Sequence, residues 1–149
     1  MNRTHNKGFT LIEMMVTVAI MAIVATIAAP SFVDMIRNNR VTTAANDVLS
    51  AMQLARSEAI RQRRPITVCA GADACTDSTD WAGGWIVTSP GGVIRVWAAR
   101  PNLTISGPAT NITFSPDGRA DGGDISLSID EEFARTVSIT VTGRASVEH

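Results

Sequence analysis

The sequence predicts an α+β protein: one long N-terminal helix, membrane-spanning in its first half, packed by its second half on antiparallel β-sheet. Three observations carry this. No charged residue occurs from Met14 to Ala29. Between Val41 and Ala59, apolar residues recur at steps of three and four. After Pro65 the texture changes to short β-prone runs separated by Gly, Pro, Asp and Asn. A long helix followed by a series of short strands is the α+β pattern.

The apolar segment comes first. At 1.5 Å per residue, a helix from Phe9 to Val33 would be roughly 37 Å long, enough to cross a hydrocarbon core of about 30 Å. A secretory signal fits badly, because its cleavage site would follow the apolar core and Pro30 would then begin the mature chain. Glu13 is the other anomaly. A carboxylate inside a bilayer costs about 2.5–3.5 kcal/mol on insertion scales, so it asks for a partner. Cleavage between Gly8 and Phe9 would create one, an ammonium four residues before Glu13, on this chain or on a neighbour in a stack of such helices. Arg3 and Lys7 keep the amino terminus cytoplasmic by the positive-inside tendency, which sends the rest to the oxidising side.

The helix is expected to continue past Pro30 with a kink there, since proline removes a donor and crowds the preceding turn. Val41, Ala45, Val48, Met52, Ala55 and Ala59 form one apolar stripe, which Leu49 and Ile60 are expected to widen. Arg40, Asn46, Asp47, Gln53, Ser57 and Arg61 fall off it. Arg-Gln-Arg-Arg at 61–64 suits the negative end of the macrodipole, and Pro65 blocks continuation. The divisions expected are therefore a leader at 1–8, a membrane half at 9–33, an amphipathic helix at 34–64 and a β-region at 65–149.

Seven runs read as strands: 66–70, 84–89, 93–99, 103–106, 111–115, 124–129 and 135–142. Pro90-Gly91-Gly92 turns the chain between the second and third, making 84–99 a hairpin. Ser115-Pro116-Asp117-Gly118 has the residues of a type I turn.

Gly8-Phe9-Thr10-Leu11-Ile12-Glu13, behind its short cationic leader, resembles the class III signal of type IV pilins and type II secretion pseudopilins. The resemblance implies prepilin-peptidase cleavage after Gly8, N-methylation of Phe9 and a role for Glu13 in filament assembly. Gln53–Ile60 with Arg63–Cys69, Trp81…Gly84-Trp85-Ile86-Val87, Ile112-Thr113-Phe114…Gly118 and the closing Gly143-Arg144 resemble the FimT/GspH family of minor pilins and pseudopilins. It implies a type IV pilin-like fold in the inner membrane, single-pass, with a periplasmic C-terminal domain. Other pilins or pseudopilins, the prepilin peptidase and the inner membrane are the partners implied. The Cys-bearing strand and the Trp-x-x-Gly-Trp loop point to the FimT side.

The remaining residues narrow the chemistry. Cys69 and Cys75, close together on the oxidising side, are expected to form a disulfide. A zinc site would need more ligands than His5 in the leader and His149 at the terminus can add. Asp117, Asp121 and Asp124 lack the alternation of an EF-hand loop and suit solvated turns. A nucleophile needs an adjacent base, and beyond the leader the sole histidine is His149, so no enzyme and no cofactor is expected.

Beyond Pro30 there are 11 Arg and no Lys against 13 Asp plus Glu, a net of −2. Polyanion binding must therefore come from local arginine placement. DNA-binding members of the FimT group carry Gly-Arg-x-Arg near the C-terminus; here Gly143-Arg144-Ala145-Ser146 keeps the first arginine and has Ser146 at the second. Arg144, with Arg135 or Arg119 beside it across the sheet, is the candidate contact for double-stranded DNA. Three readings stay open: a minor pilin of assembly alone, a pilin that also captures DNA, and an H-type pseudopilin of a type II secretion system.

Overall fold

The structure, a computed structural model, describes residues 8–108, 111–130 and 132–148; the side chains of residues 27–30 are left out of that description. Arg3, His5 and Lys7 of the leader and His149 lie outside the described residues, and the kink expected at Pro30 rests on one of the side chains left out. The chain divides into two compact units, Met1–Ile36 and Arg37–His149. The helix α1, Leu11–Gln62, begins in the first and ends in the second.

In the first unit the described apolar side chains, from Phe9 and Leu11 through Val24 to Met35 and Ile36, are exposed. That stretch is long and apolar enough to cross a membrane.

In the second unit α1 has a fully buried face: Val41, Ala44, Ala45, Val48, Ala51, Met52, Ala55 and Ala59. The stripe widens through Ala44 and Ala51, not through Leu49 and Ile60 as the periodicity suggested. Ile60 is 50 % exposed. Alanine on that flank lets the sheets approach where a leucine would hold them off. The helix ends at Gln62; Arg63 follows with φ of 52°, the left-handed position that closes many helices, and Pro65 prevents any restart.

Eight strands follow: β1 (Ile66–Ala70), β2 (Gly84–Ser89), β3 (Gly92–Ala98), β4 (Thr104–Ser106), β5 (Ile112–Phe114), β6 (Gly123–Ile129), β7 (Phe133–Ile139) and β8 (Ala145–Glu148). They form two four-stranded sheets, in the orders β3-β2-β1-β5 and β4-β6-β7-β8. All pairings are antiparallel. The expected strand at 135–142 is a second correction. The alternation Val137, Ile139, Val141 reads as one strand, yet Val141 is 59 % exposed and belongs to a turn. There the Gly143 N–H donates to the Thr140 carbonyl, and β8 runs back along β7.

Inward residues of both sheets and the helix face form one core, with Trp81, Trp85 and Phe114 its largest members. Trp85 and Trp97 stack at 6.4 Å between centroids, and Arg95 lies over Trp97 at 4.8 Å. Gly84 between Trp81 and Trp85 has φ of +113°, and a Cβ there would come 2.7 Å from the Trp97 carbonyl oxygen. The Trp-x-x-Gly-Trp pattern is thus a packing requirement of β2 against β3.

Cys69 and Cys75 are disulfide-bonded, with Cα atoms 5.4 Å apart. Cys69 and Ile86 are opposed on β1 and β2, and both are buried outside the main core. The Ala70 carbonyl accepts from both the N–H and the hydroxyl of Thr76, which holds the loop beside the bond. Replacing both cysteines by serine should lower stability by roughly 2–2.5 kcal/mol, the chain-entropy value for so short a loop. Denaturant unfolding of the full-length protein in detergent, without reductant, measures this. An unchanged midpoint would show that the loop is held without the bond.

Candidate functional site

The N-terminal candidates lie where α1 begins. Thr10 precedes the first helical residue and Glu13 is the third. The Glu13 N–H donates to Thr10 Oγ1 at 3.3 Å, and the Thr10 N–H approaches Glu13 Oε2 at 3.5 Å. This is a capping box, legible as Thr-x-x-Glu but passed over in favour of a charge partner for Glu13. The return bond is at the limit of hydrogen-bonding distance, so the carboxylate keeps most of its accepting capacity. Gly8 and Phe9 are exposed beside it.

The arginine candidates separate into two places. Arg119 and Arg144 are each preceded by a buried glycine, Gly118 and Gly143. The two glycines touch: a Cβ built on Gly143 would lie 1.9 Å from the Gly118 carbonyl oxygen. Their φ values, +81° and +75°, are left-handed. The Gly118 N–H closes its turn onto the Ser115 carbonyl, and the Ala120 N–H donates to the Val141 carbonyl, joining the two loops. Arg56 of α1 passes over both, with Nε 3.3 Å and 3.4 Å from the Cβ positions of Gly118 and Gly143. Arg56, Arg119 and Arg144 are all exposed, so three guanidiniums share one end of this unit. No sequence signal marks Arg56, because its neighbours come from two distant turns.

Of the two alternatives beside Arg144, Arg119 is there and Arg135 is elsewhere. It pairs with Leu127 in register and lies on the face of β7 that bears Val137, toward the helix. Its Nη2 donates to Asn38 Oδ1 at 2.9 Å and its Nη1 to the Ala134 carbonyl at 2.7 Å. Asn38 is roughly 27 Å along the helix axis from Arg56. With the nearby Arg37–Asp130 pair at 3.5 Å, Arg135 ties sheet to helix and offers a phosphate little.

Ser146 lies on the opposite face of its sheet from the core. Asp124, Ser138 and Ser146 form one cross-strand row, so a carboxylate stands about 10 Å from Ser146, two strand spacings away and near the Debye length. Arg61 is also engaged. Its hydrogen bonds to Glu58, with a second from the Gln62 amide, hold the Glu58 carboxyl below its ordinary range and raise the arginine. Arg63 and Arg64 beyond it are exposed.

Asp117 Oδ1 accepts the Arg119 N–H, and Asp121 Oδ2 accepts the Thr113 N–H. These two carboxylates do the work of turn residues. Among the described residues no group of three or more His, Cys, Asp or Glu comes together to hold a metal.

A long N-terminal helix on antiparallel sheet, with an exposed apolar beginning, defines a protein of the type IV pilin class. A family model described as "Prokaryotic N-terminal methylation motif" matches residues 3–29, and one described as "Type II transport protein GspH" matches residues 44–143. The chain belongs to the GspH family of minor pilins and pseudopilins. It is similar to a fimbrial protein of Moraxella nonliquefaciens, 31 % identical over 145 residues, 94 % of this chain and 88 % of that one. Over 60 residues it is 45 % identical to a fimbrial protein of Pseudomonas aeruginosa, 40 % of this chain and 38 % of that one. Among solved structures, the type IV minor pilin FimU of Pseudomonas aeruginosa superposes with a TM-score of 0.63 at 25 % identity, over 74 % of this chain and 90 % of FimU. The minor pseudopilin EpsH of the Vibrio cholerae type 2 secretion system gives 0.55 at 12 % identity, over 73 % and 96 %, a likeness of fold alone.

The contact between the two glycine turns supports the whole arginine group. Gly143→Ala should cost about 1–3 kcal/mol through strain and collision. Gly91→Ala, at a turn with an ordinary φ and room for a methyl group, should stay within about 0.5 kcal/mol. Thermal melts of both variants test this; equal melting temperatures would mean that the turns adjust freely.

Proposed function

We propose that this chain is a minor pilin of a type IV pilus, anchored in the inner membrane until assembly, with its C-terminal domain periplasmic. The likeness to FimU carries this reading, because it combines the higher TM-score with 25 % identity over most of both chains. The family model's description favours the second reading, a pseudopilin of a type II secretion system. Both require the same processing: cleavage after Gly8, methylation of Phe9, and pairing of the new amine with Glu13 of a neighbouring subunit. The unsaturated Glu13 carboxylate supports that pairing. Mass spectrometry of membrane-extracted protein should show loss of eight residues and gain of one methyl group. Glu13→Ala should leave insertion intact and lower the amount in sheared filaments at least several-fold; wild-type incorporation would exclude the pairing.

The second part of the proposal is weak, sequence-independent capture of double-stranded DNA by Arg56, Arg119 and Arg144. Their grouping against a net charge of −2 beyond Pro30 supports it, since phosphate neutralisation supplies most non-specific affinity. Ser146, in its row with Asp124, contributes little, and Arg135 serves as a control. In titrations of full-length protein in detergent, Arg56→Gln and Arg144→Gln should each reduce the slope of log affinity against log salt by about 0.9. Arg135→Gln should leave it unchanged, as should a change of DNA sequence. If neither Arg56→Gln nor Arg144→Gln moves the curve at low salt, the pilin acts in assembly alone.

A further inference from the structure

Two arginines, Arg37 and Arg40, follow the apolar segment closely, on the side where the positive-inside tendency disfavours basic residues. Arg37 is accounted for by Asp130. Arg40 is not: no described hydrogen bond or ion pair engages its guanidinium. It lines an open cleft of about 380 Å³ between α1 and the loop from β3 to β4.

The cleft is built for an anion. Besides Arg40 it is lined by Asn39 and Thr43 of the helix and by Arg100 and Asn102 of the loop. The loop is a tight turn in which the Leu103 N–H donates to the Arg100 carbonyl at 3.3 Å. Pro101 and Asn102, the latter with φ of 67°, occupy the central positions as a type II turn requires. Arg100 is fixed at both ends, by its N–H to the Ala82 carbonyl and by its guanidinium to Asp47. That ion pair cancels the Arg100 charge and holds its remaining donors in place. Arg40 thus supplies the uncompensated positive charge, and the side chains of Asn39, Thr43 and Asn102, also free of described hydrogen bonds, supply neutral donors around it.

We propose that this cleft binds the phosphate of an anionic phospholipid headgroup. The chemistry alone would also suit a free phosphate ester; chain reach argues for the lipid. Arg40 is seven residues past Val33, and seven residues span at most about 25 Å however they are arranged. The chain therefore cannot carry the cleft more than about 25 Å from the end of an inserted segment, which keeps it at a high local concentration of headgroups, whereas a soluble phosphate must be captured from dilute solution. Arginine, with five donors in a planar fork, is the residue best matched to phosphate oxygens. The proposal rests on residues 9–33 being a membrane segment.

The test uses full-length protein in nanodiscs and in detergent. Native mass spectrometry should find phosphatidylglycerol retained on the wild-type chain in preference to phosphatidylcholine. Arg40→Gln should reduce that retention about tenfold, the effect of losing one hydrogen-bonded charge, and Arg64→Gln should not. Arg40→Lys should restore part of it, and glycerol 1-phosphate should compete. Equal retention by wild type and Arg40→Gln overturns the site. Binding of glycerol phosphate without retention of lipid overturns the lipid assignment. A chain that fails to float with vesicles overturns the membrane segment, which a normal far-ultraviolet spectrum separates from misfolding.

Discussion

The second unit depends on how closely a helix can lie against two sheets. Five of the eight fully buried helix residues are alanines: Ala44, Ala45, Ala51, Ala55 and Ala59. The sheets and the loop before β2 supply the bulk in return, with Trp81 from the loop and Trp85, Phe114 and a set of isoleucines from the strands. Small against large fills space at the density of a protein interior, and a methylene added on the helix side has nowhere to go. This is why the helix can carry arginines so near its buried face. Arg56 is next in sequence to buried Ala55, and the same close approach brings the 115–118 and 140–143 turns under its guanidinium.

That geometry accounts for what was legible in the sequence. The helix stripe, β1, β2 and the β2–β3 hairpin were readable because local periodicity and turn residues decide them. The division into two sheets was not, since strand order is set by which faces meet the helix and no run of residues encodes it. The strand at 135–142 failed for a narrower reason. Val141 continues an apolar alternation that the chain abandons because Gly143 must reach a left-handed conformation beside Gly118. Tertiary contact overrode a period-two pattern.

The site was legible in the same uneven way. Gly8, Phe9 and Glu13 stand in one contiguous motif, and Cys69 with Cys75 in one short loop. The arginine group is built from three segments, so only part of it could be foreseen. Arg144 was named with Arg135 or Arg119 as alternatives beside it, because sequence cannot tell a residue on the helix-facing side of β7 from one facing solvent until the register is known. Arg56 was read merely as part of an amphipathic helix.

The distribution of charge connects these parts. A chain of net −2 beyond Pro30 has no general attraction for polyanions, yet three of its carboxylates are each committed to one arginine. Asp47 holds Arg100, Asp130 holds Arg37, and Glu58 holds Arg61. Each such pair is nearly silent at a distance beyond about 8–10 Å in physiological salt. The other arginines have no described ion pair, among them Arg40 at one end of the second unit, and Arg56, Arg119 and Arg144 at the other. A protein can therefore be weakly acidic overall and still present cationic points, because screening makes recognition a matter of the nearest few charges. The turn glycines matter to the proposed binding for that reason: they fix where Arg119 and Arg144 stand, and the overall composition does not.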